Sequence, residues 1–179
     1  EALTGHIRFI EAFKELQEQS KKEGSPIKIP EDFKIGLGNE IYLIDNLEDV
    51  QEYRKGETHF WHFVLIAKDA IGYEQLCRIS SESAWEHWFK QVGQERVPTI
   101  KSELEEIIGE DKGHLIASTA CLGGEFAHYV YEYFENGNNP EDKLKIHQFI
   151  KWGIDVFGKD NFFLEMQPTY HTYEELDEN

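Results

Sequence analysis

Apolar and polar positions along this chain fall in blocks that switch between the helical and the strand period. From Leu3 to about Lys22, Phe9, Ile10, Phe13 and Leu16 recur at helical spacing above a Lys/Glu/Gln face. Gly24-Ser25-Pro26 ends that helix. Residues 33–44, FKIGLGNEIYLI, are dense in β-formers and predict a strand interrupted by two glycines. Residues 46–58 are acidic and polar and predict an exposed excursion. HFVLIA, 62–67, is a continuous apolar run that predicts a strand buried on both faces. A helix follows, with Tyr73, Leu76, Cys77, Ser80 and Ala84 on one face and Trp85, Trp88 and Phe89 at its end.

The same alternation continues after Pro98. TIKSELEEIIG predicts a short helix with Thr99 or Ser102 as N-cap. Leu115 to Ser118 predicts a short buried strand, and Gly123-Gly124 leads into a helix carrying Phe126, Tyr129, Val130, Tyr133 and Phe134. Residues 136–140, NGNNP, form a turn signal. The next helix places Ile146, Phe149, Ile150, Ile154 and Phe157 inward and stops at Gly158, and FFLEM, 162–166, predicts a last strand. The tail TYEELDEN reads as the first turn of a further helix. Strands alternating with helices of ten or more residues indicate an α/β fold with a mostly parallel sheet, either open and doubly wound or closed into a barrel.

Charge narrows the chemistry. The chain has 179 residues, one domain's worth, with 18 Lys and Arg against 35 Asp and Glu, a net charge of −17. That argues against a nucleic-acid binder with a broad basic face, but leaves room for an acidic site that meets phosphates through divalent cations. No uncharged apolar run approaches the ~20 residues that span a bilayer. Two cysteines, Cys77 and Cys121, make no disulfide framework and fit a reducing, cytoplasmic setting. There is no initiator Met, since Met166 is the single methionine, and the expectation is a piece of a longer polypeptide.

Functional side chains of parallel β/α folds collect at the C-terminal strand ends. Polar residues at strand edges among apolar neighbours are therefore the candidates. Glu40 lies between Gly36, Gly38 and the IYLI run, and a carboxylate there needs a partner. His62 opens the HFVLIA strand, Cys121 directly follows LIASTA, His6 stands just before the first helix, and Glu165 lies inside FFLEM. A Glu, a His and a Cys arriving on three strands suit zinc or a similar divalent ion. Each alone has a plainer reading: Cys121 as a small buried hydrophobe, His62 as a hydrogen-bonded strand-end histidine, His6 as a surface residue at a helix start. His59, His87, His114, His128, His147 and His171 sit in helical or loop contexts that favour surface or packing roles. Cys77 reads as core. No G-x-S-x-G, phosphate loop or Rossmann glycine pattern occurs.

Five segments in order carry a resemblance: ALTGH at 2–6, GNEIY at 38–42, HFVLIAKDAIGYEQL at 62–76, LIASTACLGGE at 115–125 and FFLEMQ at 162–167. Together they resemble the PHP (polymerase and histidinol phosphatase) domain of bacterial and phage DNA polymerase III alpha subunits, the C-family replicative polymerases. The resemblance implies part of a seven-stranded (βα)7 barrel that holds up to three metal ions, zinc or manganese, with magnesium also admitted. It implies metal-dependent phosphoester hydrolysis of the 3′-5′ proofreading exonuclease kind in members with intact sites. Members that have lost ligands keep the domain as a structural or subunit-docking platform, and a free phosphoesterase is a third form. By the same resemblance, His6, Glu40, His62 and Cys121 match metal ligands. Gly5 stands where the family's ALTDH motif has its Asp. The family's opening H-x-H and closing D-x-H motifs are expected upstream of residue 1 and downstream of residue 179. Residues 1–179 then form a single domain, the central portion of a PHP domain. The parent polymerase would supply DNA and other replicase subunits as partners, with no membrane. The chain alone is expected to bind metal weakly, to show little nuclease activity and to self-associate through open sheet edges.

Overall fold

A computed structural model describes residues 3–46, 48–49, 60–91, 94–109 and 111–167. The elements are α1 (Thr4–Ser20), β1 (Leu37–Ile44), β2 (Trp61–Ala67), α2 (Ala70–His87), β3 (Phe89–Gln91), β4 (Gln94–Arg96), β5 (Pro98–Ile100), α3 (Lys101–Ile108), β6 (Leu115–Ser118), α4 (Glu125–Glu135), α5 (Pro140–Phe157) and β7 (Phe162–Phe163). The acidic excursion at 46–58, the tail, His59 and His171 lie largely or wholly outside the described residues.

The main sheet has the order β5-β1-β2-β6-β7. β5 runs parallel to β1 and β7 runs parallel to β6, but β2 is antiparallel to both its neighbours. Four of the five strands therefore point one way and β2 points the other. The expected neighbours are in place, and the expectation that all of them run parallel is corrected at β2. The reason lies in the connections. Parallel neighbours need a crossover, usually a helix, whereas antiparallel neighbours can be joined directly. β1 and β2 are consecutive strands, and the chain returns beside β1 in the opposite direction. Among the described residues the sheet is open, with β5 and β7 at its edges, and no closed barrel forms.

The helices cover one face of this sheet. Ile41, Leu43, Phe63, Leu65, Leu115 and Ala117 are buried there against Leu76 and Ile79 of α2, Leu104 and Ile107 of α3, and Phe149 and Phe157 of α5. Because strand side chains alternate, Glu40, Tyr42, His62 and Val64 fall on the opposite face. The HFVLIA run is thus buried on one face, with half-buried residues on the other. Phe63 is the centre of the core: its ring lies 5.7 Å from those of Trp152 and Phe157. At Gly153 a Cβ would come within 2.4 Å of the Phe162 ring, so α5 can approach β7 this closely only through glycine.

Three expectations need local correction. Thr99 does not cap α3; it lies in β5, buried, and shares a 3.1 Å hydrogen bond with Ser83. Ile154 faces solvent, and Gly153 and Val156 take the inward positions of α5. α1 has the predicted span, but none of its residues is buried and its apolar face stays half open. The helix caps at the other end of the chain follow the sequence: Asn139 accepts from the Glu141 N–H, and Asn138 takes a positive φ of 64° in the turn.

Removing the core's central ring tests this packing. Phe63→Ala is expected to lower the unfolding free energy by about 3–5 kcal/mol, read from urea denaturation, because the helices and sheet cannot close over the cavity.

Candidate metal centre

Strand direction decides which side chains meet. The C-terminal ends of β1, β5, β6 and β7 share one edge of the sheet, and the reversed β2 begins at that same edge. His62, at the start of β2, therefore reaches the edge where Cys121 leaves β6. Tyr42 pairs with His62 and Glu40 pairs with Val64 in the ladder, so Glu40 and His62 are diagonal neighbours on the sheet's open face. His62 Nδ1 lies 2.8 Å from Glu40 Oε1 and 3.5 Å from Cys121 Sγ. One donor atom from each of the three residues lies within 4.8 Å of the other two. The side chains of Glu40 and His62 are 54% and 36% exposed, so the cluster opens to solvent.

The backbone around the cluster is fixed by close approaches. His62 N–H donates to the Gly123 carbonyl at 3.0 Å, and the Gly124 N–H donates to the Cys121 carbonyl at 2.9 Å. A Cβ on Gly124 would lie 2.2 Å from the Thr119 carbonyl oxygen, so the CLGG turn requires glycine there. Ala120 enters that turn with a φ of 55°, in the left-handed region. The Gly123 N–H donates to Cys121 Sγ at 3.4 Å. On the strand side, a Cβ on Gly38 would lie 2.8 Å from the Leu65 carbonyl. The close approach that Gly38 allows is therefore the approach of β2 to β1. Tyr42 packs on the His62 imidazole with ring centroids 5.3 Å apart, and the Arg96 guanidinium lies over the Tyr42 ring at 5.1 Å.

His6 is placed elsewhere. Its ring lies 5.8 Å from Tyr73, in the first turn of α2, which follows the C-terminal end of β2. His62 begins the same strand, so the two histidines are at opposite ends of it. His6 Nδ1 is buried without a hydrogen-bond partner among the described residues. Glu165 stands at the site's edge, held by Ser118 Oγ, with its backbone N–H donating to Thr119 Oγ1 at 2.9 Å. The hydrogen bonds from Ser118 and Gln167 pull its carboxyl below the usual range. Of the other histidines, His87 is buried with Nε2 2.9 Å from both Glu103 carboxylate oxygens, and His114 bridges Asp69 and Asp111. Cys77 is half-buried on α2.

Sequence reasoning missed the charged knot behind the CLGG turn. Glu125, the first residue of α4, is 3% exposed. Lys101 Nζ donates to Glu125 Oε1 at 2.8 Å and to Asp45 Oδ1 at 2.6 Å, and the Tyr129 hydroxyl donates to Glu125 Oε1 at 2.7 Å. Lys101 also lies over the Trp152 ring at 5.3 Å. Burial raises the Glu125 carboxyl above its ordinary value, outweighing the opposing pull of Lys101 and Tyr129. Burial and the Glu125 charge push the Tyr129 hydroxyl well up in turn. The sequence signal available was an acid opening an otherwise apolar helix straight after two glycines.

A family model described as PHP domain matches residues 2–169. The chain belongs to the PHP domain family. Among its relatives, it is 47% identical over 175 residues to a "Probable DNA polymerase YorL" of Bacillus subtilis (strain 168). That match covers 94% of this chain and 13% of the relative. The figures are the same for the "DNA-directed DNA polymerase" of Bacillus phage SPbeta. The "DNA polymerase III subunit alpha" of Borreliella burgdorferi is 29% identical over 168 residues, 93% of this chain and 12% of the relative. The chain thus spans about an eighth of the length of these relatives. The relatives named here carry the words DNA polymerase in their names. Among the described residues, no helix is long and apolar enough to cross a membrane.

The Glu125 knot gives a pH test. Lys101→Met is expected to lower stability by about 3–5 kcal/mol at neutral pH, since it strands a buried carboxylate. Glu125 has a raised folded pKa, so its contribution is most favourable below the unfolded value of 4.5 and is lost as pH rises through the raised one. Urea titrations should therefore show the variant recovering part of its deficit as pH falls from 7 towards 4.5. A deficit independent of pH would show that Glu125 is not the group involved.

Proposed function

We propose that this chain contributes the metal-binding part of a phosphoester-hydrolysing centre, of the 3′-5′ exonuclease kind, in a replicative DNA polymerase. The observation that carries the reading is the convergence of Glu40, His62 and Cys121 from three segments far apart in sequence. The donor set fits a cation. In a tetrahedral zinc site, neighbouring donor atoms lie about 3.3–3.8 Å apart, and the 2.8 Å and 3.5 Å separations here need only small adjustments. Three protein ligands with solvent on the open side match the catalytic rather than the closed structural pattern of zinc. The thiolate of Cys121 favours zinc, while Glu40 and His62 also suit manganese and, less well, magnesium.

Glu40, His62 and Cys121 would hold the ion, and His62 would give up its Nδ1 proton to do so. A bound divalent cation supplies phosphate charge neutralisation and a water acidified to near neutrality. The role of the protein is then to hold and to exclude. The CLGG turn presents Cys121, Tyr42 and Arg96 fix the imidazole plane, and Glu165 adds a carboxylate at the rim. The domain is read as the central portion of a PHP domain in a cytoplasmic polymerase, whose other parts meet DNA and replicase subunits. A closed (βα)7 barrel is assigned to that longer protein.

A second reading, a non-catalytic module that supports the polymerase or docks a subunit, is favoured by two observations. Gly5 lacks the carboxylate of the matching family motif, and His6 lies at the far end of β2, leaving three converging donors. The similarity to proteins named DNA polymerase favours either reading over a free phosphoesterase.

Calorimetric zinc titration distinguishes them. The chain should bind one ion, and Cys121→Ala should weaken it by at least about tenfold, the loss that even an outer partner of a metal ligand causes. Little trimming of 3′-labelled single-stranded DNA is expected from three donors alone. Unchanged zinc affinity in Cys121→Ala would overturn the assignment.

A further inference from the structure

A cleft of about 470 Å³ opens beside the cluster and shares His62 with it. Phe60 and Trp61 line it together with His62, Leu122, His128 and Tyr131. Leu122 is 86% exposed and Tyr131 65% exposed, so two large apolar side chains stand in water at its mouth. Trp61 packs against the His128 ring, with centroids 4.8 Å apart. Gly123 lines the cleft beside His62, and a Cβ there would lie 3.4 Å from the His62 ring.

We infer that this cleft is a nucleobase subsite, which stacks the base of a nucleotide whose phosphate is held by an ion at Glu40, His62 and Cys121. The inference rests on the metal reading above and adds what flanks the phosphate. Flat rings stack on any base, because every base has a π-face, and a ring already packed in place loses little freedom on binding. The charge pattern agrees. A chain of −17 offers no basic groove, so an anionic ligand needs the ion for its phosphate and apolar contact for the remainder. A sugar phosphate would satisfy the ion and leave the aromatic walls wet.

The test is equilibrium binding to the zinc-loaded 179-residue chain, followed by tryptophan fluorescence, since Trp61 lines the cleft. The probes are thymidine 5′-monophosphate, 2-deoxyribose 5-phosphate and inorganic phosphate. The nucleotide should bind about tenfold more tightly than the sugar phosphate, within what one stacked base supplies. Tyr131→Ala should bring that ratio towards one, and Tyr131→Phe should keep it. Equal affinities for nucleotide and sugar phosphate, with zinc and phosphate still bound, would overturn the subsite, leave the metal centre standing and assign the cleft to an apolar protein contact. Failure to bind zinc would overturn the metal centre and the subsite together.

Discussion

The reversal of β2 is the constraint on which the site depends. His62 begins its strand, while Cys121 follows the end of its own. Were β2 parallel to β6, the imidazole and the thiol would sit at opposite edges of the sheet, about four residues' rise or more apart at ~3.3 Å each. Running β2 backwards between β1 and β6 brings a strand start against strand ends. It also places Glu40 diagonally across from His62 with no bulge or loop needed to carry the carboxylate there. Gly38 makes the pairing possible, because any side chain at that position would strike the Leu65 carbonyl. Gly38 of GLGNE is thus explained by neighbouring backbone.

The same edge is held from the helix side by ion pairing where apolar packing cannot reach. Three chain segments end or begin there: β1 at Ile44, β5 running into α3, and the CLGG turn running into α4. Each contributes one charged group, Asp45, Lys101 and Glu125. A carboxylate as deeply buried as Glu125 is costly unless paired, so the arrangement stands only while all three segments are in register. The position of Cys121, four residues before Glu125, is tied to that register. The buried pair is better understood as fixing where the turn sits than as a source of net stability, since buried ion pairs commonly contribute little beyond an apolar replacement.

Most elements were legible in the sequence because they bury a continuous face. HFVLIA, LIAS and the helices at 125–135 and 140–157 all carry runs or stripes that commit them to the core. Strand direction was not legible, because an apolar run reads the same both ways. Glu40, His62 and Cys121 stood out as polar residues at apolar edges, and they converge. His6 was singled out by motif alone, and nothing in its local pattern said which end of the sheet α1 would meet. Glu125 was overlooked because a first-turn acid on a helix is ordinary, and its burial arises from Lys101 and Tyr129, which lie 24 residues before it and one helical turn after it.

Composition and geometry give a consistent account of how so acidic a chain could meet a phosphate. The open face of the sheet has little fixed positive charge: Arg96 is engaged with the Tyr42 ring, and Lys101 is spent between Asp45 and Glu125 on the other face. An anion approaching Glu40 bare would be repelled. With a divalent ion between Glu40, His62 and Cys121, the local sign inverts, and the ion becomes the largest charge in the site. Affinity for phosphate is then conditional on the metal, while the surrounding carboxylates keep the unmetallated domain from holding nucleic acid on its own. Under the proposed metal reading, the net charge of −17 makes contact with a phosphate depend on the ion.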